Sequence, residues 1–367
     1  MKFSIERDRF LKPLQLLNSI VGRKQGMPIL SNILISVEKN KICYTGTDLD
    51  VELSGTIKID EAEAEGTTTV PAKKLLDICR ALPQGELISF SKQEGKLRVT
   101  SGKSRFLLAT LPANEYPTLE ESEYMYQCML PQDELRYLVE QTQFSMAQQD
   151  VRYYLNGLYL GVRQNQILAV ATDGHRLALS QVDTTESIEH PIEMIIPRKG
   201  VTEVLRLLDE PEQQVQLEFG RHHLKVVLED LQFTTKLIDG KFPDYRSVIP
   251  QQGGNLMVAP RETLKQALTR TAILASDKYR GIRLTFEQNK LTCQTHNPEQ
   301  EEAEEDLEVS YAGEPVEIGF NVNYLLDVLN ALPDAEVQFE LRDSNSSILI
   351  QGVESKDCQY VVMPMRL

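Results

Sequence analysis

The chain has 367 residues, 41% hydrophobic and 25% charged, an ordinary globular composition on a length too great for one typical core. A formal charge of −15, taken alone, argues against nucleic acid as a partner, and no run approaches the ~18 uninterrupted apolar residues of a membrane helix. The charged start MKFSIERDRF lacks the apolar segment of a secretory signal, and five scattered cysteines (Cys43, Cys79, Cys128, Cys293, Cys358) without a CxxC pair fit reduced thiols in a cytoplasmic protein.

In chain order, ILISVEKNKICYTG (33–46) reads as two alternating strands around a polar turn, and YTGTDLDVEL (44–53) as a tight turn into a third. VPAKKLLDICRALP (70–83) predicts a helix: Leu75, Leu76, Cys79 and Leu82 share one face, while Lys73, Lys74, Asp77 and Arg80 lie elsewhere. Pro71 fits its first turn and Pro83 stops it. ELISFSKQEGKLRVTSG (86–102) returns to strands, and SRFLLATLPANEYPTL (104–119) closes the unit.

The same order then recurs. VATDGHRLAL (170–179) matches YTGTDLDVEL, and IPRKGVTEVLRLLDEP (196–211), between Pro197 and Pro211, repeats the helix. LQFTTKLIDGKFPDYRSV (231–248) echoes the closing stretch. A third copy carries FNVNYLLDVLNALP (320–333), stopped by Pro333, and finishes on CQYVVMPMRL (358–367). Self-similarity at a fixed period marks repeated structural units, here expected at 1–125, 126–250 and 251–367. Each unit is itself doubled into half-units of strand, helix and antiparallel strands, giving six principal helices. Strands with one covered face and helices that cover them make an α+β design.

ATDGHRLALS (171–180) places Asp173, His175 and Arg176 where an enzyme could hold acid, base and anion clamp. Its counterparts GTDLDVELSG and QTHNPEQEEA share neither His175 nor Arg176, and Asp173 matches Asp48, so the Asp serves a turn. No GxSxG elbow, GxGxxG or GxxxxGK[ST] occurs. His222 and His223 sit in an apparent strand and point to opposite faces, while His190 and His296 lack ligand-spaced companions. Catalysis, metal and cofactor are not expected.

The three repeats, the stretches TDGHRL, DVRYYLNG, DGKFPDYRSV and NPEQEEAEE, and the terminus YVVMPMRL closely resemble the bacterial β sliding clamp family, along the whole chain and in order. The resemblance implies a ring of two three-domain subunits joined head to tail around duplex DNA, helices lining the inside and antiparallel sheets outside. It implies partners as well: the replicative polymerase subunit, an ATP-driven clamp loader and other proteins carrying a short clamp-binding peptide. Helix count agrees with a two-chain ring. Twelve helices at ~10 Å spacing fit a circle of diameter ~38 Å, and subtracting about one helix thickness leaves ~28 Å, enough for a duplex and its water.

The charge divides unevenly: net 0 over 1–125, −6 over 126–250 and −9 over 251–367. Opposed charge on two ends suits a head-to-tail contact. By the resemblance, Phe106 and Leu108 pack against Ile273 and Leu274 of a second copy. Lys103 and Arg105 face some of Glu299, Glu301, Glu302, Glu304 and Glu305. For DNA, basic residues recur on or near the predicted helices: Arg23, Lys24, Lys73, Lys74, Arg80, Arg198 and Lys199. They would meet phosphates without reading sequence. Gln149, Tyr153 and Tyr154 match family positions implicated in DNA contact.

The resemblance also implies a groove between the second and third units that accepts a peptide with apolar and aromatic side chains. One wall carries Leu155, Thr172, Gly174, His175, Arg176 and Leu177, with Pro243 and Val248. Asn321, Tyr324 and Ser347 lie on the other side. The terminal segment supplies Val361, Val362, Met363, Pro364, Met365 and Leu367, and its methionines suit a pocket with several partners.

Overall fold

The computed structural model describes residues 1–22, 26–119, 123–184, 190–251 and 253–366. Among them one module occurs six times: strand, helix, then three antiparallel strands. The first is β1 (Lys2–Glu6), α1 (Arg7–Ile20), β2 (Asn32–Glu38), β3 (Lys41–Thr47) and β4 (Val51–Lys58). The second is β5 (Gly66–Pro71), α2 (Ala72–Ala81), β6 (Leu87–Gln93), β7 (Lys96–Ser101) and β8 (Ser104–Ala109). β9 (Tyr124–Pro131), α3 (Gln132–Glu140), β10 (Gly157–Arg163), β11 (Gln166–Thr172) and β12 (Arg176–Asp183) form the third. The fourth has β13 (Ile192–Pro197), α4 (Arg198–Leu207), β14 (Gln214–Gly220), β15 (His223–Val227) and β16 (Leu231–Lys236). The fifth has β17 (Asn255–Pro260), α5 (Arg261–Thr271), β18 (Gly281–Glu287), β19 (Lys290–His296) and β20 (Glu302–Glu308), with the short β21 (Ser310–Tyr311) appended. β22 (Val316–Asn321), α6 (Val322–Ala331), β23 (Glu336–Leu341), β24 (Ile348–Gly352) and β25 (Cys358–Val362) complete the sixth.

The doubled repeat, the six helices and the α+β class are as the sequence implied. Small differences have local causes. Pro71 and Pro197 end β5 and β13 instead of entering the helices, which begin at Ala72 and Arg198. Pro71 has φ −58 and ψ 113, so its fixed φ suits the extended residue that precedes the first turn. Pro83 and Pro333 directly follow the cap residues Leu82 and Leu332, but Pro211 falls beyond Leu208, Asp209 and Glu210. His222 lies just outside β15, which begins at the buried His223.

By contacts the chain forms two compact units, Met1–Asp133 with Lys199–Leu237, and Glu134–Arg198 with Ile238–Leu367. The first holds sheets of order β1-β6-β7-β8 and β5-β2-β3-β4-β16-β15-β14-β9. The second holds β20-β19-β18-β22 and β13-β10-β11-β12-β25-β24-β23-β17-β21. Each large sheet joins modules through their last strands. β4 meets β16, with Leu231 opposite Gly55, and β12 meets β25, with Arg176 opposite Val362. β8 and β20, the fourth strands of their modules, remain edges.

Helices cover sheets with their apolar stripes. Leu75, Leu76 and Cys79 of α2 are buried while Lys73, Lys74 and Arg80 are exposed. In the first unit Phe90 stacks on Phe3 at 4.7 Å and meets Phe10 edge-on at 5.6 Å. In the second, Phe286, Tyr311, Phe320, Phe339 and Tyr360 share one core. Such side chains contribute ~1.5–3 kcal/mol each on burial. A repeated arginine ties helix pairs. Arg7, which opens α1, donates to Cys79 O at 2.8 Å and Arg80 O at 3.3 Å, carbonyls near the end of α2. Arg261, which opens α5, donates to Leu329 O at 3.0 Å and Asp334 O at 2.8 Å around the end of α6. The last carbonyls of a helix have no intrahelical donor and carry its negative end, so a guanidinium there satisfies both.

Candidate functional site

The turn between β11 and β12 is built by its own side chains. Asp173 Oδ1 accepts from His175 N at 2.9 Å and Arg176 N at 3.1 Å. Thr172 Oγ1 accepts from Gly174 N at 3.1 Å and donates to Arg176 O at 2.6 Å. The β3–β4 turn repeats this: Asp48 Oδ1 accepts from Asp50 N and Val51 N at 2.9 and 3.0 Å, and Thr47 Oγ1 donates to Val51 O at 2.8 Å. Gly174 at φ +88 has as its counterpart Leu49 at φ +77. Left-handed backbone favours glycine, so Leu49 is the strained copy.

Arg176 is committed to structure. Its Nε meets Asp173 Oδ2 at 3.1 Å, Nη1 meets Asp327 Oδ2 at 2.5 Å, and Nη2 donates to Phe144 O at 2.7 Å. The guanidinium carbon lies 4.5 Å from the Tyr324 ring centroid and 5.5 Å from that of Phe144. His175 is exposed, and its carbonyl accepts from Met363 N at 2.9 Å, which seats the terminal segment beside the turn.

Next to this turn, within the second unit, lies a cavity of about 180 Å³. Of the residues named for the groove, Leu155, Thr172, Gly174, Arg176, Leu177, Pro243, Val248, Val361 and Met363 line it and His175 does not; Arg152 and Tyr245, which the sequence reading passed over, line it as well. Both belong to stretches that carried the resemblance, DVRYYLNG and DGKFPDYRSV, but nothing in their spacing aims them inward. Arg152 Nε and Nη2 hold the two Asp150 carboxylate oxygens at 3.0 and 2.9 Å. That hydrogen bonding holds the Asp150 carboxyl down at about 2. A Cβ on Gly174 would stand 2.8 Å from the Arg152 guanidinium, so glycine there keeps the wall open.

The remaining expected wall residues lie apart from this cavity. Val362 is buried in the core of the second unit because alternation along β25 turns it away from Val361. Asn321 caps α6 by accepting from Asn323 N at 2.9 Å, and Tyr324 is held under Arg176. Ser347 and Pro364 are half-buried, Met365 lines a different cavity, and Leu367 lies outside the described residues.

Of the expected DNA contacts, Arg23 and Lys24 lie outside the described residues. Lys73, Lys74 and Arg80 are exposed on α2. In the second unit Gln149 and Arg198 share a shallow cavity with Gln148 and Asn156. Tyr153 is exposed and meets the half-buried Tyr154 edge-on at 5.7 Å. Lys199 is otherwise employed: its Nζ meets Asp48 Oδ2 at 2.6 Å and Ile20 O at 3.0 Å. Burial pushes Asp48 up, but Lys199 and the Val51 and Asp50 N–H groups together hold its carboxyl below the usual range.

At the edge strand β8, Lys103 and Arg105 are exposed, Phe106 is half-buried and Leu108 is buried at 8%. Leu108 thus packs within its own sheet, and Leu107, on the alternate face, is the exposed leucine at 54%. Near β20, Ile273 is 75% exposed and Leu274 half-buried. Glu299, Glu301, Glu302 and Glu304 are exposed, and Glu305 is held by Arg270, whose Nε approaches to 2.9 Å.

Family models for the DNA polymerase III beta subunit match the chain throughout: the N-terminal domain over residues 1–120, the central domain over 129–244 and the C-terminal domain over 246–366. The beta sliding clamp of Pseudomonas putida is 51% identical over 367 residues and that of Escherichia coli 45% over 368, each alignment covering 100% of both chains. The crystal structure of the Pseudomonas aeruginosa DNA polymerase III subunit beta matches at 49% identity with a TM-score of 0.97, covering 100% of both chains. The Caulobacter crescentus beta sliding clamp, with PEG bound to its putative beta-motif tethering region, matches at 35% identity with a TM-score of 0.95, covering 100% of this chain and 99% of that one. With three family domains in order and relatives aligned from end to end, the chain belongs to the bacterial β sliding clamp family, the non-catalytic processivity subunit of DNA polymerase III.

Proposed function

We propose that two copies of this chain close head to tail into a ring around duplex DNA. The ring would tether the polymerase, the clamp loader and other partners through a short peptide bound in the cavity beside Met363. The leftover edges carry this reading. Modules one and four join through β4 and β16, and modules three and six through β12 and β25. By the same rule module five should join module two, through β20 and β8, and both strands are edges. A second chain supplies that junction, and a heterologous contact that closes after two copies gives a ring.

The repeats also supply its register. Glu52, Leu177 and Ala303 stand opposite the equivalent threonines Thr47, Thr172 and Thr295. In the joined sheets Glu52 faces Thr234 and Leu177 faces Val361, each one residue after an aromatic, Phe233 or Tyr360. Phe106 is the matching aromatic of β8. Leu107 therefore faces Ala303 of the second chain, and Arg105 faces Glu305. Exposed ion pairs contribute only ~0–1 kcal/mol each, so Leu107, Phe106, Ile273 and Leu274 should provide most of the affinity.

Lys73, Lys74, Arg80, Arg198, Arg23 and Lys24, with Gln149, Tyr153 and Tyr154, would meet DNA weakly and without reading sequence, which suits sliding. Lys199 serves mainly to fix the Asp48 turn to the end of α1. The family-model boundaries support repeats at 1–125, 126–250 and 251–367, and free cysteines, four of them buried and Cys43 half-buried, support a reducing cytoplasm. ATP hydrolysis belongs to the loader.

Loading onto nicked circular DNA and then gel filtration in high salt tests the reading. The protein should stay with circles and be lost once they are cut. Equal retention on linear DNA would exclude enclosure, and loss from both would leave a head-to-tail scaffold that does not encircle DNA.

A further inference from the structure

The seam between modules one and four holds a cavity of about 460 Å³, entirely within the first unit. α1 forms one side, β4 and the turn between β15 and β16 another, and the segment after α4 a third. Thr56 N donates to Asp230 O at 3.0 Å and seats the turn there. Leu16, Ile57, Leu228 and Leu231 give the cavity apolar walls. Tyr44 lines it too. That residue is 2% exposed, and its hydroxyl has no hydrogen-bond partner among the described residues. A buried hydroxyl without a partner is unfavourable, so it marks a place for a group that supplies one.

The equivalent seam of the second unit is filled. Tyr137, at the repeat position of Lys12, sets its hydroxyl 3.3 Å from Cys358 Sγ. Gln141, at that of Leu16, donates to Ala331 O at 2.9 Å and accepts from Tyr360 at 2.5 Å. Cys358 faces Ser180 across the β12–β25 junction as Leu231 faces Gly55 across β4 and β16. Ala169 stands where the first unit has Tyr44, and a Cβ on Gly55 would collide with the Tyr44 hydroxyl. The first unit thus keeps open a space that the second closes with its own side chains.

Carboxylates outnumber cations in the cavity lining by five to three. Lys12 is engaged by Asp209 at 2.6 Å, Arg9 donates to Lys58 O, and Asp8 is held by Arg7. Glu229, Asp230 and Lys58 have no side-chain partner among the described residues, so the unengaged charge is acidic. Burial, and then the charge of Asp230, push the Tyr44 phenol up, which keeps it neutral.

We propose that this cavity binds a small organic ammonium ion with an apolar body, its carbons against Leu16, Leu228 and Leu231 and its N–H groups donating to Tyr44 Oη and Asp230. The volume is that of a small-molecule site. An ammonium that donates to a carboxylate and a phenol oxygen makes charge-assisted hydrogen bonds, which a neutral or anionic analogue cannot reproduce. A bound ligand would bridge α1 and the β15–β16 turn, across the join of the first two repeats.

Saturation-transfer NMR with the full-length protein tests this, using 2-phenylethylamine, the neutral 2-phenylethanol and the anion 3-phenylpropionate. The amine should bind with a Kd on the order of 1 mM, and the other two at least about 5-fold more weakly. When the exposed pair is neutralised by Glu229→Gln with Asp230→Asn, the preference for amine over alcohol should fall to about 1. Tyr44→Phe should weaken the amine about 3-fold. Lys12→Tyr with Leu16→Gln, which copies the filling of the second unit, should abolish binding. Amine binding no tighter than that of the alcohol or the anion would overturn the inference. So would a preference that survives loss of both carboxylates, binding unchanged in both Tyr44→Phe and the filled variant, or no saturable amine binding below about 20 mM.

Discussion

Replacing Arg176 by methionine removes a guanidinium that ties the β11–β12 turn, α6 and the Phe144 segment together while keeping most of the side chain's apolar bulk. The lost contacts are the pair with Asp173 at 3.1 Å, that with Asp327 at 2.5 Å, the bond to Phe144 O at 2.7 Å and the stacking on Tyr324 at 4.5 Å. Arg176 and Asp173 side chains are 11% and 17% exposed, so their pairing and the carbonyl bond each fall in the range ~1.5–3 kcal/mol for charged hydrogen bonds. Asp327 is 40% exposed and is discounted to ~0–1 kcal/mol. Stacking adds ~0.5–1 kcal/mol. These groups share one residue and do not add fully, so the expected loss is ~3–4 kcal/mol. In a unit of this size ~2–4 °C accompanies each kcal/mol, which puts the fall in melting temperature at about 10 °C. Calorimetry on the purified variant measures it. Arg176→Lys should fall between, since an ammonium cannot hold three partners in a fork. His175→Ala, at an exposed site, should stay within ~0.5 kcal/mol of the parent. An Arg176→Met protein melting within 2 °C of the parent would refute the keystone role, because a loss of ~3–4 kcal/mol lowers the melting temperature by more than that.

The two equivalent turns make opposite predictions: Leu49→Gly should stabilise by ~1 kcal/mol in chemical denaturation, whereas Gly174→Ala should destabilise by about as much and disturb Arg152. Asp48 has its carboxyl held low by Lys199, so its stabilisation is present above the ordinary aspartate value of 3.8 and disappears as pH falls through the lower folded value. Asp48→Asn should therefore be less stable than the parent at pH 7, and the gap should close towards pH 3, as urea titrations across that window would show. Arg261→Met leaves the Leu329 and Asp334 carbonyls without their donor and should cost ~2–3 kcal/mol in the same assay.

The repeat was legible because its signals are local. Helical spacing placed Leu75, Leu76 and Cys79 on one buried face, and the Asp48 and Asp173 turns were readable from residue type alone. Alternation in β8 was visible too, but which face its own sheet covers was not, so the burial of Leu108 at 8% and the exposure of Leu107 at 54% could not be read in advance. Lys199 looks like a phosphate ligand in sequence because its partner Asp48 lies 151 residues away. Arg152 and Tyr245 reach the cavity through separate loops, a convergence that no spacing encodes. Tertiary pairing decides whether a charge is offered or already used, and that information is absent from local pattern.

Paired cysteines test the proposed junction most directly. With Leu107→Cys and Ala303→Cys in one chain, the inferred register sets these positions opposite each other across each chain boundary, with Cβ atoms ~4.5–5.5 Å apart, near disulfide reach. Mild oxidation should give a covalent species of twice the 41.7 kDa chain that remains on circular DNA through denaturing detergent, and Leu107→Cys with Glu304→Cys, whose side chain turns to the other face, should not. Equal cross-linking in both proteins, or a 41.7 kDa species that never doubles, would contradict a ring closed through β8 and β20.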